Sequence, residues 1–175
     1  MSKPTAILSV ALLAPVLLAG CQSHRPVDPP PAMTAVGIVL HAPRPGLYTA
    51  GQPASSDWAM IAGRGVTTVI NLRTPAELAG RDEAAEVGAA GMRYAEIPVD
   101  GAAGIGMEKA RALRSLLDRA DGPVLVHCAS GNRVGALIAL GAADAGASTE
   151  DAIAQGRAAG MTGAETRVRE LLSQD

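Results

Sequence analysis

The chain has 175 residues, of which 48% are hydrophobic, enough for one domain with a buried core. It contains two tyrosines, one tryptophan and no phenylalanine, and 15 basic residues stand against 17 acidic ones. Because the chain has neither a basic surface footprint nor a series of aromatic rings for base stacking, no nucleic-acid partner is expected.

The first twenty residues differ in composition from the rest of the chain. Lys3 precedes an apolar run from Ala6 to Leu18 in which only Ser9 is polar. The run is shorter than the roughly 20 residues that span a bilayer. Residues 1–20 therefore predict an export signal rather than a transmembrane helix.

The end of this signal carries a second feature. Leu18, Ala19, Gly20 and Cys21 resemble the lipobox of bacterial lipoproteins. The resemblance implies cleavage before Cys21, lipidation of its sulfur, and contact with a membrane through this lipid anchor only. Gln22 at the next position implies sorting to the outer membrane, facing the periplasm. The alternative is a plain secretory signal followed by an incidental cysteine.

A proline-rich stretch follows the signal. Residues 21–34 begin with Cys21 and include the sequence QSHRPVDPPP. Prolines at this density predict an extended, semi-rigid tether. The folded domain is expected over residues 35–175.

Within that domain, strand-like and helix-like segments alternate. Strands are predicted at 36–40, 46–50, 66–72, 92–99 and 123–128. Helices are predicted at 55–62, at 75–91 as one helix or a broken one, and at 107–122, 133–146, 149–159 and 164–172. The alternation predicts an α/β fold, with a mostly parallel sheet flanked by helices and binding sites beyond the carboxyl ends of its strands.

Cys128 lies at such a strand end and is followed by a short turn and Arg133. If Cys21 is lipidated, Cys128 is an unpaired thiol in an oxidising compartment. Amide groups of a turn that enters a helix converge on one point and favour a thiolate there. Arg133 adds a two-pronged donor for oxyanions. The pattern predicts a nucleophilic cysteine, provided that its sulfur is open to solvent and the guanidinium faces it; a small buried core residue is the alternative.

The turn itself is the predicted substrate-binding loop. Its residues are Ala129, Ser130, Gly131 and Asn132. The first three are small enough for an anion to approach the backbone closely, and glycine accepts a positive φ angle.

The string HCASGNR is similar to the signature loop of the cysteine-dependent tyrosine and dual-specificity phosphatases. The upstream segments LYTAGQP, GVTTVINLRTPAE and GMRYAEIPVD resemble a bacterial branch of that superfamily, the beta-lactamase hydrolase-like phosphatase domains, over residues 46–145. The resemblance implies a tyrosine/dual-specificity phosphatase-like fold, with Cys128 as nucleophile, Arg133 as phosphate-binding residue and His127 as support for the loop. It further implies that the substrate is a phosphorylated protein or a small phosphate ester.

Three more polar residues are site candidates. Asp100 lies on a glycine-containing loop after a predicted strand, where the superfamily places its general acid; otherwise it caps a turn. Asn71 and Arg73 follow another strand end and are candidates to line the mouth of the site, unless they serve as caps or surface pairs.

No metal or cofactor is expected. His24, His41 and His127 are not grouped at a spacing that binds zinc. The glycines of residues 101–106 do not follow a strand directly, as a dinucleotide fingerprint requires.

The loop departs from the phosphatase pattern in two respects. Four residues instead of five separate Cys128 from Arg133, and Val134 stands where phosphatases carry serine or threonine. A six-residue loop is typical of rhodanese-type sulfurtransferases, in which Cys128 would carry a persulfide and Asp100 would be dispensable. Two alternatives to a phosphatase therefore stay open, namely a sulfurtransferase and a non-catalytic module that binds oxyanions.

Overall fold

The structure is a computed structural model that describes residues 33–35 and 37–174. The predicted signal peptide, Cys21 and most of the tether lie outside these residues. In the described part of the chain, no helix is both long and apolar enough to cross a bilayer.

Within residues 33–35 and 37–174, six strands form one sheet. They are β1 (Met33–Ala35), β2 (Ile38–Arg44), β3 (Leu47–Ala50), β4 (Thr68–Asn71), β5 (Arg93–Glu96) and β6 (Val124–His127). Their order across the sheet is β1-β2-β3-β6-β4-β5. The pairings of β3 with β6, β6 with β4 and β4 with β5 are parallel, whereas β1, β2 and β3 pair antiparallel. The predicted α/β class and mostly parallel sheet are confirmed, and an antiparallel edge is added.

In the described part of the chain, seven helices follow the strands or connect them. A short 3-10 turn at Ser55–Asp57 leads into α1 (Trp58–Gly63) and is followed along the chain by α2 (Pro75–Leu78), α3 (Glu83–Ala89), α4 (Met107–Asp118), α5 (Asn132–Asp144), α6 (Thr149–Ala158) and α7 (Glu165–Leu172). The segment predicted over 75–91 is broken, because Ala79 and Gly80 adopt positive φ angles of 51° and 82°. Thr74 caps α2 and Asp82 caps α3, so each short helix has its own start.

The helices cover both faces of the sheet. On one face Trp58, Ile61 and Val87 of α1 and α3 pack against Val69 and Leu125 of the central strands. The opposite face holds the larger core, built from the sheet and helices α4 to α7; its buried residues include Leu113, Val134, Leu137, Leu140, Ile153 and Val168. Strands β4 and β6 lie between these layers.

The parallel register places two predicted site segments side by side. Asn71 at the end of β4 is the register partner of His127 at the end of β6. Cys128 follows directly, so the candidate loop leaves the carboxyl edge of the sheet at its centre, as the strand order of an α/β fold predicts.

Candidate active site

The loop that contains Cys128 connects β6 to α5 within a few residues. Gly131 stands before the first residue of α5 with φ of 89°, a conformation that glycine adopts without strain. Its backbone N–H donates to the Sγ of Cys128 at 3.2 Å. The sulfur therefore lies at the amino end of a thirteen-residue helix and accepts a main-chain hydrogen bond there. Both features favour negative charge at this point of the structure.

The chain after β3 holds the loop in place. The backbone of Cys128 donates to the carbonyl of Ala50 at 3.4 Å, and Gln52 N–H donates to the carbonyl of Ala129 at 3.2 Å. Gly51 forms a bridge with Ser130, and a Cβ at position 51 would lie 3.1 Å from the Ala129 carbonyl oxygen. A side chain at this position would require the Ala129 carbonyl to shift by a few tenths of an ångström.

The cysteine side chain is fully covered. Cys128 is 0% exposed, whereas Ala129 and Ser130 are exposed to solvent. The condition that the sulfur be open to solvent is not met in this conformation, so any reaction at Cys128 requires the loop to uncover it. Arg133 lies close enough to Cys128 for the sulfur to raise the pKa of Arg133, but its hydrogen bonds go to Glu77 and Val99. That the guanidinium faces the sulfur stays a prediction.

Arg133 is held by a carboxylate that the sequence analysis did not identify. Its Nη1 donates to Oε2 of Glu77 at 2.8 Å and to the carbonyl of Val99 at 2.6 Å, and its Nη2 donates to Oε1 of Glu77 at 2.6 Å. These bonds use three of the five N–H groups of the guanidinium, so Nε–H and one Nη2–H stay available for an anion. Glu77 thus orients Arg133 without occupying all its donors.

The ion pair changes the pKa of both partners. The hydrogen bond from Arg133 lowers the pKa of Glu77 from 4.5 to about 2, although partial burial acts in the opposite direction. The hydrogen bond to Glu77 raises the pKa of Arg133, and the nearby Cys128 side chain raises it further, while burial acts to lower it. Both groups are therefore charged at neutral pH.

This pair predicts a pH-dependent stability difference for Glu77→Gln. Since the pKa of Glu77 in the folded protein lies below its ordinary value of 4.5, the pair stabilises the fold fully above about pH 4.5, and this contribution is lost as the pH falls toward 2. We expect the variant to have a lower Tm than the parent protein at pH 7 and the same Tm near pH 2, measured by circular dichroism.

A matched control is available for this comparison. Glu108→Gln removes a carboxylate that is 90% exposed and lies 3.9 Å from Lys109, a pair that contributes little. It should leave the Tm nearly unchanged at both pH values. A Tm difference for Glu77→Gln that is equally large at pH 2 and pH 7 would show that its charge is not the cause.

A cleft of about 250 Å³ opens beside Arg133. Its lining includes Glu77, Gly101, Ala102, Asn132, Arg133 and Ala164. Cys128 is not part of this lining, in agreement with its burial. The cleft is the place where an anion held by Arg133 would extend toward solvent.

Asp100 directly precedes Gly101, which lines this cleft. Its side chain is exposed, and its carbonyl accepts a hydrogen bond from Gly104 N–H at 2.8 Å. The preceding residue, Val99, is tied to Arg133 through its carbonyl oxygen. The structure therefore brings the Asp100 loop to the Arg133 side of the site, and the role of Asp100 as general acid stays a prediction.

The side chain of Asn132, predicted to bind substrate, forms hydrogen bonds with a different segment of the chain. Its Oδ1 accepts hydrogen bonds from the backbone N–H groups of Thr162, Gly163 and Ala164, at 2.8, 2.8 and 3.2 Å. These amides precede α7, so Asn132 ties the segment between α6 and α7 to the start of α5. Asn132 thereby shapes one wall of the cleft.

His127 belongs to a buried polar group behind the loop. Its Nε2 lies 2.6 Å from Oε1 of Glu83, and both side chains are 0% exposed. The other carboxylate oxygen of Glu83 accepts from Nε2 of Gln52 at 2.8 Å. Burial acts to raise the pKa of Glu83, but His127, Gln52 and Arg81 outweigh burial and lower the pKa. A buried carboxylate thus links His127 to the segment that holds the Cys128 loop.

Asn71 and Arg73 brace the neighbouring segments. Asn71 is buried; its Nδ2 donates to the hydroxyl of Tyr94 at 2.9 Å and its Oδ1 accepts from Arg73 N–H at 2.8 Å. The guanidinium of Arg73 donates to Oε1 of Gln52 at 2.5 Å and to the carbonyl of Glu77. Direct contact of either side chain with substrate stays a prediction.

Glu77 and Glu83 are the site residues that sequence reasoning missed. Glu77 carries one local signal, because Thr74 and Glu77 form a capping box that marks the start of α2. That signal predicts a helix start but not the pairing with Arg133, which lies 56 residues away. For Glu83 the sequence offers no local signal of its contact with His127.

Comparison with known proteins shows the family to which the chain is similar. A family model described as "Beta-lactamase hydrolase-like protein, phosphatase-like domain" matches residues 40–147. A beta-lactamase hydrolase-like protein of Agrobacterium fabrum is 38% identical over 101 residues, which are 55% of this chain and 23% of that protein. The chain thus spans less than a quarter of the length of such relatives.

Solved structures show the same fold. The Neisseria meningitidis protein nma1982 is 25% identical, with a TM-score of 0.65 over 75% of this chain and 96% of that one. TpbA of P. aeruginosa is 21% identical, with a TM-score of 0.64 over 82% of this chain and 89% of that one, and a cysteine-to-serine form of TpbA was solved in complex with phosphotyrosine. At 21% identity the likeness to TpbA shows the fold alone.

Proposed function

Because the chain belongs to the family of the phosphatase-like domain of beta-lactamase hydrolase-like proteins, we propose that it hydrolyses phosphate monoesters through a cysteinyl-phosphate intermediate. One observation carries the proposal. The Sγ of Cys128 accepts the Gly131 N–H at the amino end of α5, and Arg133, in the first turn of that helix, lies beside it. A thiolate, a helix amino terminus and a guanidinium converge there, and this combination suits attack on a phosphate group.

In the first step, the loop uncovers the sulfur of Cys128, and its thiolate attacks phosphorus. A sulfur–phosphorus bond forms while the bond from phosphorus to the ester oxygen breaks, and that oxygen leaves with the electron pair. The loop amides and the two available N–H groups of Arg133 stabilise the charge on the phosphoryl oxygens. We propose Asp100 as the acid that protonates the leaving oxygen, because its loop borders the cleft beside Arg133.

In the second step, water attacks the cysteinyl-phosphate. A phosphorus–oxygen bond forms, the sulfur–phosphorus bond breaks, and the thiolate is regenerated with release of inorganic phosphate. Asp100, now ionised, accepts the proton of the water. Glu77 serves both steps as a positioning residue, since it holds the guanidinium of Arg133 through two hydrogen bonds.

We propose a phosphorylated protein side chain or a small phosphate ester as the substrate. The phosphotyrosine complex of TpbA supports this class, because TpbA shares the fold. The walls of the cleft near Arg133 include Gly101, Ala102 and Ala164, which are small and leave room for different ester groups.

We further propose that the reaction takes place at the cell envelope. The apolar run before Cys21 supports an exported lipoprotein that is anchored in the outer membrane and faces the periplasm. Cell fractionation tests this: Cys21→Ser should move the protein from the membrane fraction to the soluble fraction. Equal membrane association of both forms would contradict a lipid anchor at Cys21.

Two parallel assays with Asp100→Asn test the reaction type. Hydrolysis of p-nitrophenyl phosphate is expected for the parent protein, with a decrease in kcat of about 10² in the variant, the usual size of a general-acid contribution. Transfer of sulfur from thiosulfate to cyanide is expected to be absent from both proteins, because the proposed reaction is phosphate ester hydrolysis. Sulfur transfer requires no general acid, so it would not depend on Asp100.

The outcomes separate the candidate functions. Sulfur transfer that survives Asp100→Asn, without phosphate release, would favour the sulfurtransferase. The six-residue loop from Cys128 to Arg133 is typical of that function. Tight binding of inorganic phosphate without either activity would favour the oxyanion-binding module. The variant Asp118→Asn is a suitable control, because Asp118 is an exposed carboxylate at the end of α4 and should retain full activity.

A further inference from the structure

A second cavity lies at the opposite end of the sheet from Cys128. It has a volume of about 300 Å³ and is bounded by the hairpin between β2 and β3, by α4 and by the second half of α5. Leu47, one of its lining residues, is paired with Val124 at the start of β6, whereas Cys128 follows the end of the same strand. The cavity is therefore separate from the candidate active site.

The inner surface of this cavity is apolar. Leu113 and Leu117 of α4 face Leu137, Ile138 and Ala142 of α5 across it. Leu113 and Leu137 are each 1% exposed and close its inner end, whereas Leu117, Ile138 and Ala142 are partly exposed. Ligand pockets of proteins begin at about 300 Å³ and are mostly apolar, so the cavity suits a small molecule with an apolar body.

The charged residues at the rim of the cavity are all basic. Arg44 and Arg114 are its charged lining residues, and no acidic side chain of the described chain lines it. Arg114 and the nearby Arg111 both bind Asp144, at 3.2 and 2.8 Å, so Asp144 is shared between two cations. The side chain of Arg44 is exposed and makes no hydrogen bond or ion pair with the described residues 33–35 and 37–174. Within that part of the chain, its positive charge at the mouth of an apolar cavity therefore has no carboxylate partner.

We propose that this cavity binds a small amphipathic monoanion, a medium-chain fatty acid, with its alkyl chain between α4 and α5 and its carboxylate on Arg44. The apolar walls take the chain out of water, and the guanidinium offers two parallel N–H groups to the two carboxylate oxygens. A neutral alcohol of the same length gains the first interaction and lacks the second. This site is independent of the chemistry at Cys128.

Isothermal titration of the full chain with decanoate and with decanol, below their aggregation limits, tests the site. We expect decanoate to bind at one site per chain. Ala142→Phe fills the space between the helices and should weaken decanoate binding at least about tenfold. Arg44→Gln should weaken decanoate binding about tenfold and leave decanol binding unchanged, because only the acid uses the charge.

Several results would overturn this assignment. They are the absence of decanoate binding, equal binding by the parent protein and Ala142→Phe, or an equal effect of Arg44→Gln on acid and alcohol. Ala147→Phe narrows the cavity from another wall, so it replaces Ala142→Phe if the latter changes the circular dichroism spectrum.

Discussion

Replacing Cys128 with serine is expected to abolish phosphate ester hydrolysis, with a decrease in kcat of about 10³ or more. A serine hydroxyl is not ionised near neutral pH, so the nucleophile of the first step is lost. The fold should be retained, because serine has nearly the size of cysteine and its oxygen accepts the Gly131 N–H in place of sulfur. The measurement is the initial rate of p-nitrophenyl phosphate hydrolysis, beside the Tm of both proteins.

Two further observations complete this prediction. Binding of inorganic phosphate should survive in Cys128→Ser, because Arg133 and the loop amides stay in place. In the parent protein, iodoacetamide should modify Cys128, found by peptide mapping, and phosphate should slow the modification. This labelling also reports whether the covered sulfur becomes accessible in solution. Hydrolysis that persists in the serine variant would exclude Cys128 as the nucleophile.

Replacing Gly135 with alanine is expected to destabilise the fold by about 3 kcal/mol. Helices α5 and α6 touch through glycines: a Cβ on Gly135 would lie 2.5 Å from the carbonyl oxygen of Gly156 and 2.5 Å from the backbone nitrogen of Met161. Because both neighbours are backbone atoms, no side-chain rotation relieves the overlap, and the helices have to separate. Urea denaturation measures the loss in the free energy of unfolding.

The same helix provides the control. At Gly141 the nearest atom to an added Cβ is the Ala110 carbonyl oxygen, 4.0 Å away, an ordinary contact. Gly141→Ala should therefore leave the protein as stable as the parent, or more stable by up to about 1 kcal/mol, because alanine favours helix more than glycine. If both variants changed the free energy of unfolding equally, the glycine contact between α5 and α6 would not be the cause.

The antiparallel edge of the sheet was not predicted, although the sequence contains the information that indicates it. The runs at 36–40 and 46–50 predict two strands but not their direction. In the structure, β2 continues to Arg44 and only Pro45 and Gly46 separate it from β3. A connection this short joins antiparallel strands, whereas parallel strands need a crossover of a dozen or more residues. The direction was thus available from the sequence.

The burial of Cys128, in contrast, could not be predicted from the sequence. Nothing near residue 128 in the chain indicates that the segment after β3 pairs with its loop. That segment, Gly51 and Gln52, binds Ser130 and Ala129 through backbone atoms, and backbone pairing leaves no trace in side-chain chemistry. Cys128 also belongs to the larger core cluster, together with residues as distant in sequence as Leu47 and Ile70, so its burial depends on contacts between distant parts of the chain.

By itself, the sequence determined the alternation of strands and helices and the succession of His127, Cys128, the turn and Arg133 at one strand end. These features depend on residues that are neighbours in the chain, so periodicity and spacing reveal them. Only the tertiary structure decided that Glu77 orients Arg133, that Glu83 meets His127 and that Asn132 turns to the segment before α7. Such partners are set by packing between elements far apart in sequence. The sequence does not show which of several similar carboxylates the fold places beside a given charged residue.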